Sequence, residues 1–244
     1  MTFTYLRYEL LRTVRNRRFF LFSLGFPLVL FFAIASPNRH VSNFDGSGIS
    51  FPLYYMVGMT AFGTMSAMLS CGGRIAAERA IGWNRQLRIT PLSPRSYFRV
   101  KVITAYMMAI LTMLALYASG TSLGVSLTES EWLKMTGLIL IGLVPFAALG
   151  VMLGHLLTPD SLGPAMGGGI SLLALLGGIW FPLGHHGFLP ELAQFIPSYW
   201  LAQASHVALG SQPWSTKGWI VMIAWTIVLS ALAARAYRRD TGRM

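Results

Sequence analysis

The sequence predicts an all-α membrane protein, and its composition and charge pattern indicate that class. Hydrophobic residues make up 54% of the 244 residues and charged residues only 11%, whereas a soluble chain carries roughly 25% charged residues. In a soluble protein, a net charge of +11 would suggest that the protein binds nucleic acid. Here the basic residues form blocks between long uncharged runs, which is typical of a membrane protein. We therefore expect membrane lipid, and no nucleic acid, as a partner.

Six uncharged runs predict six transmembrane helices, because a bilayer core about 30 Å thick needs about 20 mostly apolar residues per helix. They are residues 19–35, 53–73, 102–123, 135–157, 162–182 and 218–234. With both termini in the cytoplasm, all basic residues except Arg39, Lys134 and Lys217 lie on the inner side. This distribution follows the positive-inside rule and predicts a multi-pass protein of the cytoplasmic (inner) membrane.

The N-terminus predicts an amphipathic helix at the inner membrane interface. Phe3, Leu6, Leu10 and Val14 recur at helical spacing in residues 1–18, and such basic amphipathic helices lie along membrane surfaces. Two alternatives stay open for this segment. Its arginines could serve only to retain the N-terminal segment in the cytoplasm. Alternatively, the segment could belong to a cleaved signal peptide that ends at the Ala-Ile-Ala of residues 33–35.

Residues 183–217 predict an external segment that dips partly back into the membrane. The apolar run of residues 192–212 is long enough for a seventh span, but that span would move the basic C-terminal tail outside. It also carries several polar side chains, which are costly in lipid. We therefore predict one domain over residues 1–244. Residues 1–18 form its interfacial helix, 19–73 spans 1 and 2, 74–101 a loop, 102–182 spans 3 to 5, 183–217 the external segment, and 218–244 span 6 with a basic tail.

The loop of residues 74–101 predicts a short cytoplasmic helix between spans 2 and 3, over residues 81–89. Pro91 ends it, because proline lacks an amide donor and disfavours helix in the residue before it. Trp83 and Leu87 share one face, and Arg85 and Arg88 add positive charge. These features suit docking in a groove of a partner. The alternative is a basic loop that rests on anionic lipid.

Two stretches of the sequence resemble the permease subunits of type-2 ABC exporters. In that family, the loop after span 2 resembles AAERAIGWNRQLRITPLSPRSYFRVK, and the matching positions are Glu78, Arg79, Gly82, Leu87, Thr90, Pro91, Leu92, Ser93 and Lys101. The end of span 5 resembles GGIWFPLGHHGFLPELAQFIPSYWLAQAS through Pro182, Leu189, Pro190, Pro197 and Tyr199. With the six-span layout, the resemblance covers nearly the whole chain. Where many relatives carry an acidic residue after the loop glycine, this chain has Asn84 and Arg85.

The resemblance implies a non-catalytic subunit that exports hydrophobic or amphipathic compounds, such as drugs, antibiotics or lipid-like molecules. It implies two copies of a separate ABC ATPase, and a second permease that is identical or related. ATP and Mg²⁺ would bind to the ATPase, and no cofactor or metal to this chain. Together with the apolar face and the charges of the predicted loop helix, it indicates an ATPase-coupling role for Glu78, Arg79, Gly82, Trp83, Arg85, Leu87, Arg88 and Pro91. A permease for polysaccharide export is the alternative within the family.

The residues themselves limit how transport could be energised. None of the three lysines, Lys101, Lys134 and Lys217, is followed by Ser or Thr, so no P-loop of the form G-x-x-x-x-G-K-[ST] exists. If ATP drives this chain, another chain must bind it. None of the carboxylates lies within a predicted run, which argues against transport driven by protons or sodium ions.

Two patterns suggest other chemistry. The G-x-S-x-G around Ser122, with His155 or His206 as base, would fit an intramembrane serine hydrolase, although the pattern lies near a helix end rather than on a strand-turn-helix. Close packing of small residues, as at Gly150/Gly154 and Gly163/Gly167, is the alternative. His185 and His186 with Glu191 form a weak metal pattern that lacks well-spaced further ligands. The single cysteine, Cys71, excludes a disulfide within the chain.

Aromatic residues gather at the predicted outer face, where they could anchor the protein at the interface or line an exit path. For a path, the candidates are Trp180, Phe181, Tyr199 and Trp200.

Overall fold

The computed structural model describes residues 2–16, 21–44, 48–83, 86, 89, 93–180, 183, 187–210 and 212–242. Within those residues the regular secondary structure is entirely helical, which confirms the predicted all-α class. The helices are α1 (Thr2–Arg15), α2 (Phe26–Ala35), α3 (Phe51–Leu69), α4 (Cys71–Ala80), α5 (Pro94–Ser122), α6 (Glu129–Gly142), α7 (Val144–Leu156), α8 (Pro159–Leu176), α9 (Phe188–Ala193), α10 (Pro197–His206) and α11 (Thr216–Gly242). A π-helical turn, Leu21–Gly25, leads into α2, and a 3₁₀ turn, Val207–Leu209, follows α10.

Local sequence signals set where these helices begin. Ser93 caps α5 by accepting from the amide of Ser96, and Pro94 follows at the first helical position. Thr128 and Glu131 form a capping box at the start of α6. Pro145 follows the junction of α6 and α7 at Leu143, where a proline removes a backbone donor and interrupts a helix.

Three helical stretches among the described residues are long and apolar enough to cross a membrane. They are Arg95–Ser122, Glu129–Leu156, which joins α6 and α7, and Thr216–Asp240. Ser23–Ala35 is a shorter apolar helix. The remaining predicted runs, residues 53–73 and 162–182, coincide largely with α3 and α8. The chain is therefore a membrane protein that crosses the bilayer several times, and a count of six spans stays a prediction.

The core of the bundle lies around α3, which is buried along most of its length. It packs along α5, and α11 packs along α7. The external segment folds back so that α10 packs on α6 and α3 and buries Trp200, Leu201 and Ala204. The depth of α10 in a membrane stays a prediction.

One end of the bundle carries the charged side chains that pair with each other, and we call it the charged end. α1 packs there against the start of α5, and the last turns of α11 reach α7. Both long helices extend beyond the predicted runs: α5 begins at Pro94 rather than residue 102, and α11 continues to Gly242 rather than residue 234. The apolar run underestimates these helices because their first or last turns are charged.

Candidate functional site: two ion clusters at the charged end

Three charged side chains from three different helices meet inside the charged end. Lys101 of α5 has its Nζ 2.5 Å from Oε1 of both Glu9, on α1, and Glu78, on α4. The side chains of Lys101 and Glu78 are fully buried, and that of Glu9 is 3% exposed. Because charges are costly to bury unless they are paired, this contact holds the three helices in one arrangement. We call these residues, with Arg12, the buried ion cluster.

Two further hydrogen-bond donors contact the carboxylate of Glu78. Arg12 Nη1 donates to Oε1 at 2.6 Å, and the hydroxyl of Tyr97 donates to Oε2 at 2.7 Å. Arg12 is half exposed, so the cluster reaches solvent on the side of Arg12. With two carboxylates and two cations the cluster carries no formal net charge, which reduces the cost of its burial.

The aromatic side chains beside the cluster extend it toward the loop. The ring of Tyr5 stacks on Tyr97 with centroids 6.3 Å apart. Burial, and then the carboxylates of Glu78 and Glu9, raise the pKa of the Tyr5 hydroxyl far above its ordinary value, against the effect of Arg12 and of the Trp83 indole. The Tyr5 hydroxyl therefore stays protonated, and Trp83, which follows the turn at the end of α4, lies beside it.

The second cluster lies one residue further along α4. Arg79 Nη2 donates to Asp240 Oδ1 at 2.7 Å, and Arg79 Nε lies 2.6 Å from Asp240 Oδ2 in the same ion pair. Arg79 Nη1 also donates to the carbonyl oxygens of Gly154 and Leu157. His155 Nδ1 lies 3.0 Å from Asp240 Oδ2. We call Arg79, Asp240 and His155 the C-terminal ion cluster; it joins α4 to the end of α7 and to the end of α11.

The two clusters meet in one dipeptide. Successive residues of a helix point about 100° apart, so Glu78 and Arg79 face different pairs of neighbours. Glu78 binds α1 and α5, whereas Arg79 binds α7 and α11. This part of α4 is therefore joined by side-chain contacts to four other helices.

Close backbone contact also ties α4 to α7. A Cβ on Gly72 would lie 2.4 Å from the carbonyl oxygen of Gly150, and one on Gly154 would lie 2.7 Å from that of Gly72. The packing predicted at Gly150/Gly154 is present. The pair Gly163/Gly167 differs, since a Cβ at either position would meet nothing within 4 Å.

The predicted coupling residues fall into two groups. Glu78 and Arg79 lie in the clusters, Gly82 adopts the left-handed conformation (φ +71°) that ends α4, and Trp83 is half-buried. Ile81 and Ile89, the ends of the predicted loop helix, are 70% and 88% exposed. The other predicted coupling residues, Arg85, Leu87, Arg88 and Pro91, lie outside the described residues.

The predicted path residues are also divided. Trp180 packs against Phe62 with ring centroids 5.5 Å apart, and Phe62 lines a cavity of about 360 Å³ between α2, α3 and α8. Four serine hydroxyls and several apolar side chains line that cavity: Ser23, Phe26, Phe62, Ser66, Ser70, Met166, Gly167, Ile170 and Ser171. Phe181 lies outside the described residues.

Tyr199 and Trp200 lie within the packing of the external segment. Trp200 is 7% exposed, its Nε1 donates to the carbonyl of Gln194, and its ring leaves no room for a Cβ on Gly218. Tyr199 packs edge-on against Trp200. These contacts suit a structural role in holding the segment to the start of α11.

The serine-hydrolase interpretation finds no support in the surroundings of Ser122. Its hydroxyl donates to the carbonyl of Ser119 within α5, as a helical serine often does. His155 packs on Phe98 at the opposite end of α5, about 36 Å away along the helix axis. His206 packs on Tyr54. Of the metal pattern, His185 and His186 lie outside the described residues.

Sequence reasoning missed most of the residues that complete the clusters. Glu9, Tyr97, His155 and Asp240 were not among the predicted coupling residues, because a pairing across up to 161 positions leaves no local pattern. Lys101 was noted only as a match to the family loop. The available signal was charge at the edges of long apolar runs, where a membrane protein must pair or expose it.

Comparison with known proteins agrees with this architecture. A family model described as ABC-2 family transporter protein matches residues 35–235, which is most of the chain. A protein named putative transport permease YvfS, from Bacillus subtilis (strain 168), is 28% identical over 239 residues that cover 95% of each chain. The match to the family model includes Glu78, Arg79, Lys101 and His155, four of the seven residues of the two clusters. This membrane protein therefore belongs to the ABC-2 family of transporter proteins, as a permease.

Proposed function

We propose that this chain is the permease subunit of an ATP-driven exporter in the cytoplasmic membrane, and that it moves hydrophobic or amphipathic compounds outward. In this proposal the chain crosses the membrane six times, and the charged end faces the cytoplasm. The placement of arginines and lysines supports that orientation. A separate ATPase supplies the energy and carries the ATP and Mg²⁺.

The observation that carries the proposal is the position of Glu78 and Arg79 at the end of α4. They pair with four other helices, and two residues later the chain reaches the exposed apolar loop that begins at Ile81. A partner that docks on the loop would move α4, and the clusters would pass that movement to α1, α5, α7 and α11. Glu78 is fully buried, so its part is transmission, and contact with the ATPase falls to the exposed residues.

The small size of the cavity on the proposed cargo path supports a transporter with two permease copies. Within the described part of one chain, the cavity beside Phe62 has only about 360 Å³, near the lower limit of about 300 Å³ for small-molecule sites. Two permease copies, identical or related, would enclose a larger path between them. Each would bind one ATPase, which gives two ATPases per transporter.

The lining of that cavity supports an amphipathic cargo. Aromatic and aliphatic side chains provide apolar surface, and four serine hydroxyls provide hydrogen-bonding groups without formal charge. Such a surface accepts a molecule with an apolar body and a few polar groups. We place Trp180 at the edge of this path, because it packs against Phe62.

The docking role of the loop is tested by reversing its charge. The variant Arg85→Glu/Arg88→Glu is tagged, extracted gently from native membranes and compared with the original chain for co-purification of a P-loop ATPase. We expect the ATPase to be present in stoichiometric amount with the original chain and absent with the variant, because the loop carries the charge complementarity.

The matched control is Arg235→Glu/Arg239→Glu, which reverses two exposed charges at the same end on α11. It should retain the ATPase. If the loop variant keeps its ATPase, or if the original chain purifies without one although it is folded, the proposal is wrong.

A further inference from the structure

An open groove between three helices lies beside the C-terminal ion cluster and has no role in the proposed transport. It has a volume of about 800 Å³. α5 contributes Phe98 and Val102, α7 contributes Ala147 and Ala148, and α11 contributes Ala234 and Tyr237. On each helix the lining residues recur every one to four positions, as for neighbours on one face of a helix. The middle helix, α7, lines the groove with the small side chains of Ala147 and Ala148 between two longer helices.

The groove is apolar along its length and basic at one mouth. Arg95 lies one turn before Phe98 at the start of α5, and Arg238 follows Tyr237 near the end of α11. Both arginines are exposed and lie at the charged end, together with the exposed Ser93. From Ser230 to Arg238 the lining of α11 rises about 12 Å. A ligand that fits must therefore join an anionic head to an apolar chain of at least that length.

We propose that this groove binds one anionic phospholipid, with its phosphate between Arg95 and Arg238 and an acyl chain along α7. Arginine guanidinium groups form strong, charge-assisted hydrogen bonds to phosphate. The hydroxyl of Ser93 lies at the same mouth as a further donor. The groove lies on candidate spans, where lipid is the surrounding solvent, so the acyl chain stays in an apolar environment.

Charge favours a lipid over a second copy of this chain as the occupant. At the charged end, the carboxylates of Glu9, Glu78 and Asp240 already pair with basic groups of their own chain. A second copy would thus bring few acidic groups to the two arginines. An anionic headgroup brings a full negative charge and needs no rearrangement of either cluster.

The site lies next to the C-terminal ion cluster, which gives it a consequence for stability. The ring of Phe98 packs edge-on against Tyr237 at 4.9 Å and lies 5.7 Å from that of His155. A lipid seated on Phe98 and Tyr237 would brace α5 against the end of α11. We therefore expect bound anionic lipid to raise the thermal stability of the chain.

Native mass spectrometry of the detergent-purified chain tests the proposal. The chain is titrated with phosphatidylglycerol and with phosphatidylcholine of identical acyl chains. We expect one phosphatidylglycerol to bind with clear preference. The variant Arg95→Gln/Arg238→Gln should lose about tenfold in affinity for phosphatidylglycerol, as expected for lost charge-assisted hydrogen bonds, and little for phosphatidylcholine. The control Arg235→Gln/Arg239→Gln also removes two positive charges, but from α11 outside the groove. It should bind both lipids as the original chain does.

A second pair of variants tests the apolar part. Ala234→Phe fills the groove and should weaken the binding of both lipids, whereas Ala231→Phe places the same ring on an exposed part of α11 outside the groove. Equal binding of the two lipids, equal loss in the arginine control, or lipid binding unchanged by Ala234→Phe would each overturn the proposal. The proposal would also be overturned if Ala234→Phe dissociated a dimer of this chain while lipid binding stayed intact. No ATPase or transport enters these measurements, so their outcome is separate from that of the proposed export.

Discussion

Lys101 is the residue on which the buried ion cluster depends most. It is the fully buried cation between the carboxylates of Glu9 and Glu78, and the other cation, Arg12, contacts only Glu78 and is half exposed. Removing one partner of a buried ion pair leaves an uncompensated charge and costs about 3–5 kcal/mol.

The variant Lys101→Met should therefore lower the free energy of unfolding by about 3–5 kcal/mol, although methionine has a similar length and greater hydrophobicity. Thermal denaturation of the detergent-purified chain measures the change. Lys134→Met is the control, because Lys134 is exposed and lies at the opposite end. Equal denaturation midpoints for the two variants would mean that the cluster contributes little.

Asp240 plays the corresponding part in the second cluster. It accepts a hydrogen bond from Arg79 Nη2, lies within ion-pair distance of Arg79 Nε and lies beside His155, and its side chain is 11% exposed. Asp240→Asn removes the charge from these hydrogen bonds and should cost about 2 kcal/mol. Hydrogen exchange should show faster opening of the last turns of α11, whereas Asp160→Asn, an exposed residue, should leave them unchanged. Unaltered exchange in Asp240→Asn would contradict this assignment.

At the scale of the element, the crossing of α4 over α7 is the contact that positions both clusters. Gly72, Gly150 and Gly154 let the two backbones touch, and Arg79 donates to the carbonyl of Gly154 just beyond the crossing. Small residues that permit such approach are a common device for helix association in membranes. Separation of the two helices would also stretch the pair of Arg79 and Asp240.

Gly72→Ala should separate α4 from α7, because the added methyl group would lie 2.4 Å from a backbone oxygen that cannot move aside. We expect a loss of roughly 1–3 kcal/mol in stability, as for other overpacked contacts. Gly163→Ala is the matched control on α8, where the methyl group meets open space; it should be neutral or stabilise the helix by about 0.5–1 kcal/mol. The prediction is wrong if the two variants denature alike.

At the scale of the whole molecule, the sequence was sufficient for the class and the family. Long uncharged runs predicted α2, α3 and α5 near their observed positions, because lipid imposes helices of nearly fixed length. The loop motif located Glu78 and Arg79 before any contact was known. The contacts themselves depend on how the helices pack, and the pairing of Asp240 with Arg79, 161 positions apart, has no local sequence pattern.

The same limit applies to the aromatic residues of the predicted outer face. Trp180 and Trp200 belong to one predicted group, because both are large and amphipathic near the same end. In the structure, Trp180 packs beside the cavity lined by Phe62, whereas Trp200 fills the space above Gly218. Only the tertiary arrangement separates a candidate for the path from a packing residue.

The measurement that tests the central claim most directly is ATP-driven transport by the permease and its ATPase in proteoliposomes, compared between the original chain and Arg79→Ala. The account predicts that both complexes assemble, that the original moves an amphipathic dye when ATP is added, and that Arg79→Ala hydrolyses ATP with little dye movement. The reason is that Arg79 joins α4 to α7 and α11, so its loss uncouples the loop from those helices. Transport by Arg79→Ala at the original rate, or no ATP-dependent transport by the original complex, would contradict the account.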